Sequence, residues 1–207
     1  MIPKKIAIIG ASTVQGAVDP EGGGWVGRIR KWHESRRPRR NFVFNLGVSG
    51  NTTTDILRRL LPECSERKPG LIIYSCGLND SRRVGSLNGP HETPKEKFKY
   101  NLRELVKTGR GIADVIFVSI NPIDDTKTLP IPWNKSHFFN QVNAEEYAGI
   151  TEEIVSSESI PYLDVWSYWI KRNYHVFLYE DGLHPNSLGH KDIFVKVKEF
   201  LNNIYKD

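Results

Sequence analysis

Four short blocks of this 207-residue chain hold residues whose types and spacing suit acyl transfer. They are Gly10-Ala11-Ser12-Thr13-Val14-Gln15-Gly16, Asn45–Thr53, Gly77-Leu78-Asn79-Asp80 and Asp181-Gly182-Leu183-His184. Acyl transfer needs a nucleophile, a base, a group that orients the base and donors for the developing oxyanion. Ser12 offers a hydroxyl directly after an apolar run that ends at Gly10. His184 is the candidate base. Asp181, three residues earlier in a glycine-containing turn, can fold its carboxylate back onto the imidazole, fixing its tautomer and stabilising the imidazolium. The Gly50 amide, the Asn79 carboxamide and the Ser12 amide are candidate oxyanion donors. Taken singly, each block has an ordinary structural explanation, since serine after a strand-ending glycine is common turn chemistry. Their joint arrangement carries the reading.

The elements that must position these residues alternate along the chain. Ile6–Ile9 reads as a buried strand ending at Gly10, and Trp25, Val26, Ile29 and Trp32 recur at helical spacing. Asn41–Leu46 reads as a second strand, and Thr52–Glu63 as a helix with threonines at its start. Leu71–Cys76 is a third strand, Pro94–Thr108 a helix opened by proline, and Val115–Ile120 a fourth strand. Phe139–Ser157, Pro161–Val165 and Ser187–Tyr205 complete the series as helix, strand and helix. Ser81–Thr93 and Asn121–Lys135 are rich in Gly, Pro and polar residues and predict loops. Such alternation calls for a parallel sheet covered by helices on both faces, with ligands beyond the carboxyl ends of the strands. All four blocks lie at or near such positions.

On these blocks the chain resembles the SGNH hydrolases, also called the GDSL esterase/lipase family. The resemblance runs from the first strand to the final helix, with the four blocks in the family's order. It implies a three-layer α/β/α flavodoxin-like fold with a five-stranded parallel sheet ordered 2-1-3-4-5, spanning residues 1–207 as one domain. It also implies Ser12 as nucleophile, His184 as base, Asp181 as orienting acid, and Ser12, Gly50 and Asn79 as the oxyanion hole. Neither a metal nor an organic cofactor is required. The chain departs from the family at Ala11, where aspartate is usual.

The expected activity is hydrolysis of small or short-chain esters through an acyl-enzyme, with acetylated carbohydrates and lysolipid-like esters among the substrate classes. An acyltransferase or a non-catalytic member would share the same blocks. A phosphate- or flavin-binding module on the same fold has no use for Asp181 and His184, and the chain lacks Gly-x-Gly-x-x-Gly and P-loop patterns. An α/β-hydrolase elbow is excluded because Val14 stands where its second glycine belongs. Substrate choice is expected in two loops, Ser81–Thr93 and Asn121–Phe139, with contacts from Trp133, Phe138 and Arg82. His190, inside the final helix, reads as a satisfied surface histidine rather than a rival base.

Composition is consistent with this frame. A chain of this length buries roughly 70% of its extended surface, enough for one well-packed core. Lys and Arg number 29 against 24 Asp and Glu, a net charge of +5, and much of the excess lies between Arg28 and Arg40. That run reads as a solvated helix end, and no nucleic-acid motif accompanies it. Two cysteines make no disulfide framework. No stretch approaches a membrane span, and Met-Ile-Pro-Lys-Lys does not open a signal peptide, so a cytoplasmic protein acting on a small-molecule ester is expected.

Overall fold

The computed structural model describes residues 1–206. Five parallel strands form the sheet: β1 (Lys5–Gly10), β2 (Phe42–Gly47), β3 (Leu71–Ser75), β4 (Asp114–Val118) and β5 (Tyr162–Leu163). Their spatial order is β2-β1-β3-β4-β5, the order the family resemblance implies. In β1, Ile6 pairs with Val43 on one side and Leu71 on the other, and Gly10 pairs with Gly47 and Ser75. The ends of β1, β2 and β3 therefore finish level. Strand order reverses beside β1, and the crevice beyond such a reversal is where ligands bind in open α/β sheets.

Alternation along each strand divides the core in two. Ala7, Ile9, Ile72, Tyr74, Val115 and Phe117 point to one face, against helices α2 (Thr53–Arg67), α3 (Lys95–Arg110) and α4 (Gln141–Ser157). Ile6, Ile8, Leu71, Ile73, Ile116 and Val118 point to the other, against α1 (Gly24–Arg36) and α5 (Ser187–Ile204). Because side chains of both faces are apolar, the strands read as continuous hydrophobic runs.

Three details differ from the sequence expectation. The fifth strand is cut to two residues because Asp164 caps a helical turn, Val165–Ile170, accepting from the Ser167 N–H at 2.9 Å. Ser119 Oγ accepts the Val165 and Trp166 N–H groups of the same turn. The presumed loop at 81–93 contains Arg83–Val84, which pairs antiparallel with His137–Phe138. This ribbon ties together the two loops expected to contact substrate. The fourth helix opens at Gln141, where Asn140 accepts the Asn143 N–H. Among the described residues no helix is long and apolar enough to cross a membrane.

Candidate active site

Ser12 begins a one-turn helix, Ser12–Gln15, at the end of β1. The turn packs so tightly that a Cβ on Gly10 would lie 2.2 Å from the Ser75 carbonyl and 2.4 Å from Val14. Ala11 occupies the cap position and supplies no side-chain hydrogen bond to the turn. The departure from the family's aspartate thus leaves a helix start without an acceptor. The turn is held instead through Gln15, whose Oε1 accepts the Ser49 N–H at 3.0 Å and the Ser49 hydroxyl at 2.6 Å.

At the other end of the chain, His184 sits in a turn stabilised from both sides. Its carbonyl accepts the Tyr179 N–H at 2.8 Å, and Asn186, two residues on, caps α5 by accepting the Gly189 N–H at 2.9 Å. The imidazole Nε2 lies 2.9 Å from Ser12 Oγ, and Nδ1 lies 2.7 Å from Asp181 Oδ2. Asp181 Oδ1 accepts the Leu183 and His184 N–H groups at 2.8 and 2.9 Å. Burial pushes the Asp181 carboxyl upward, but the bonds from the His184 ring and backbone, the His184 charge and the Leu183 N–H outweigh it. The carboxyl is held below its ordinary value. Folding thus brings Ser12, His184 and Asp181 into one hydrogen-bonded relay across 172 residues of separation.

The candidate donors line the same cleft. Gly50 has φ +81°, a left-handed conformation that suits glycine. Asn79 follows β3 in the helical turn Leu78–Ser81, and its Nδ2 donates to the Asn51 carbonyl at 3.0 Å. One of its two amide hydrogens is thereby engaged and the carboxamide plane is oriented. Beside it, fully buried Asp80 accepts from the Thr53 N–H at 3.0 Å and from the Thr53 hydroxyl at 2.6 Å. Desolvation raises the Asp80 carboxyl to about 6, against the pull of those bonds.

Space around Ser12 is asymmetric. A recess of about 30 Å³ is bounded by Ala11, Cys76, Leu78, Asn79, Ile120 and Leu183, among others. On the other side lies an open cleft of about 340 Å³, where Trp133, Arg82, Asn134 and His137 join Ser12, Gly50 and His184. Trp133 is 57% exposed and stacks on the His184 ring, with centroids 5.9 Å apart and planes 23° apart. Arg82 lines the cleft but is paired with Glu92 at 3.0 Å, which offsets its charge. Phe138 is half-buried in the ribbon, and it is Phe139, buried against Ile131 and Leu183, that lines the cleft.

His190 is not on the surface as expected: it is fully buried beneath the Ser12 turn. Its Nδ1 accepts the Trp25 N–H and its Nε2 donates to the Ala17 carbonyl, both at 3.2 Å. Burial drives its pKa down to about 4, so it stays neutral, and both ring nitrogens are engaged. In the basic run, Arg28 pairs with Asp19 and bonds Ser187 Oγ, and Arg30 pairs with Glu34. Cys64 and Cys76 are buried and free. Among the described residues no group of three or more His, Cys, Asp or Glu side chains is placed to hold a metal ion.

Residues 8–191 match the GDSL-like Lipase/Acylhydrolase family. The GDSL esterase/lipase WDL1 of Oryza sativa subsp. japonica is 23% identical over 167 residues, 75% of this chain. That match spans 62% of the rice protein's length. A lipase/acylhydrolase from Enterococcus faecalis superposes with a TM-score of 0.77 at 22% identity, covering 97% of this chain and 96% of that one. Axe2, an acetylxylan esterase from Geobacillus stearothermophilus, superposes with a TM-score of 0.74 at 19% identity, over 96% of this chain and 94% of its own. At such identities the structural likeness is one of fold. With the family match covering nearly the whole sheet and both ends of the relay, the chain belongs to the GDSL-like Lipase/Acylhydrolase family.

Proposed function

We propose that the chain hydrolyses short-acyl esters, above all acetate esters of carbohydrate hydroxyls, with Ser12 as nucleophile, His184 as base and Asp181 as orienting acid. The carrying observation is the unbroken relay from Ser12 Oγ to His184 Nε2 at 2.9 Å and from His184 Nδ1 to Asp181 at 2.7 Å, opening on a cleft. Ser12 Oγ attacks the ester carbonyl as its proton passes to His184 Nε2. The resulting oxyanion is met by the Ser12 and Gly50 amides and the second Nδ2 hydrogen of Asn79. Collapse breaks the bond to the alcohol, which leaves with the proton from His184. Water then attacks the acyl-enzyme, giving its proton to His184, and release of the acid restores Ser12.

The two spaces beside Ser12 support the substrate class. A recess of about 30 Å³ has room for about one water-sized group, which suits an acetyl methyl and excludes a long chain. The larger, open, mixed-polarity cleft with an exposed indole suits a hydroxylated ring that stacks on Trp133. Hydrolysis of p-nitrophenyl acetate by wild type, Ser12→Ala and His184→Ala tests the relay. Each substitution should lower kcat by about 10⁶-fold. Wild-type turnover in Ser12→Ala would overturn the reading.

A further inference from the structure

Arg59 stands on the second turn of α2, outside the four blocks, yet its guanidinium touches two of them. Nη2 donates to the Gly10 carbonyl at 3.0 Å, the last residue of β1 and two before Ser12. Nε donates to Asn51 Oδ1 at 2.8 Å, on the residue after Gly50. The Asn51 carbonyl in turn receives Asn79 Nδ2 at 3.0 Å. Nη1 is anchored to Glu63 Oε1, one turn further along α2, at 2.9 Å, and the Arg59 and Glu63 side chains are 17% and 24% exposed. The Gly10 carbonyl also accepts the Val48 N–H at 3.1 Å, so the guanidinium completes a junction between the serine turn and the glycine block.

We propose that Arg59 is a positioning residue that sets the relative placement of the oxyanion donors, acting mainly through Asn51 on the Asn79 carboxamide. This rests on the roles proposed for Ser12 and Asn79. The donors of Ser12, Gly50 and Asn79 come from three separate loops, and their backbones meet only at the strand ends. A planar fork with fixed donor directions can define the distance from the Gly10 carbonyl to the Asn51 side chain, whereas an ammonium's three donors rotate on a flexible stem and fix no such distance. Donors misplaced by about 1 Å at a reacting centre cost about 10²-fold in rate. Their benefit falls on the transition state, so the loss belongs in kcat rather than KM.

The test measures kcat and KM for p-nitrophenyl acetate in Arg59→Met, Arg59→Lys, Asn79→Ala and the double variant Arg59→Met/Asn79→Ala. Rates are expressed per site titrated with a fluorophosphonate, which discounts unfolded protein. Arg59→Met should lose about 10²-fold in kcat with KM within about threefold, and Arg59→Lys should recover part of that loss. Asn79→Ala should lose about 10²–10³-fold, and the double variant should lie within about threefold of Asn79→Ala alone. Full kcat per titrated site in Arg59→Met overturns the proposal, as do losses that multiply in the double variant. If Arg59→Met does not fold, Arg59→Lys decides the matter by the same kcat and KM split. A fully active Ser12→Ala would sink the reading of the site itself, whereas an inactive Ser12→Ala beside a fully active Arg59→Met rejects only the clamp.

Discussion

Asp181 holds His184 twice: through the ring, with Oδ2 at 2.7 Å from Nδ1, and through the backbone, with Oδ1 accepting the His184 N–H at 2.9 Å. The Leu183 N–H also lies on Oδ1, so both carboxylate oxygens are occupied inside one four-residue turn. The spacing Asp-x-x-His places the proposed acid and base on a single local structure. The turn itself sets their geometry, and it is tied to the loop after β4, where the Asp124 N–H donates to the Gly182 carbonyl at 2.8 Å and Asn121 Nδ2 to the Leu183 carbonyl at 3.2 Å.

Asp181→Asn should therefore preserve the turn and lose the chemistry. An asparagine oxygen can still accept the two N–H groups, but its amide then faces Nδ1 and forces the proton onto Nε2, where it blocks transfer from Ser12. The expected loss in kcat on p-nitrophenyl acetate is about 10⁴-fold, smaller than for Ser12→Ala, with the melting temperature little changed. Because the Asp181 carboxyl is held below its ordinary value, it stays ionised from neutral pH down past pH 5. The wild-type kcat profile should therefore show no titration of the Asp181 carboxyl above that pH.

On the proposed reading, acyl length is limited by the recess of about 30 Å³ with Leu78 and Ile120 among its walls. One surplus methylene in an apolar pocket is worth about 10- to 200-fold in kcat/KM. Wild type should thus cleave p-nitrophenyl acetate at least about tenfold more efficiently than the hexanoate. Ile120→Ala should narrow or invert that ratio. Ile120 packs on Ala144, Ala148 and Trp166, so the same change should cost about 2–5 kcal/mol of stability. A wild type that prefers hexanoate would contradict the assigned acyl site.

Trp133 stands 57% exposed over His184, a large apolar ring with little packing of its own. Trp133→Ala should leave the melting temperature within about a degree or two, as exposed substitutions do. It should raise KM for an O-acetylated xylo-oligosaccharide by about tenfold, the value of one aromatic stacking contact of about 1.4 kcal/mol. On ethyl acetate, which offers no ring, the change should stay within about threefold. Equal losses on both substrates would assign Trp133 to His184 rather than to the sugar.

How far these features were legible in the sequence depends on their range. Ile6–Ile9 and Leu71–Cys76 announce strands because both faces are buried, and the four blocks announce a site because strand ends converge in any such sheet. Phe138 and Phe139 differ by one step. In the strand-like ribbon that step reverses the side chain's face, so the cleft residue shifts by one. His190 misled because its partners, the Trp25 N–H and the Ala17 carbonyl, lie more than 160 residues away. Arg59 carries no local mark at all: its value appears only once Gly10 and Asn51 are brought to either side of it.

Asp80 makes stability depend on pH in a predictable direction. It is fully buried below Asn79, and desolvation outweighs the bonds from Thr53 and Thr93, raising its carboxyl from 3.8 to about 6. The folded chain therefore holds this proton more tightly than the unfolded chain. Stability from this group is fully present below about pH 4 and is lost as pH rises through about 6, after which it is level. The difference corresponds to about 3 kcal/mol across that window. Other groups titrate equally in wild type and in Asp80→Asn, so the difference between the two proteins isolates Asp80. Urea unfolding at pH 4, 5, 6 and 7 should show wild type losing ground to Asp80→Asn by about 2–3 kcal/mol from the lowest to the highest pH. The neutral carboxamide keeps one acceptor for Thr53 and has no charge to desolvate. A stability difference that does not change with pH would mean that the Asp80 carboxyl titrates alike in the folded and unfolded chain, and that its bonds to the start of α2 fully offset its burial.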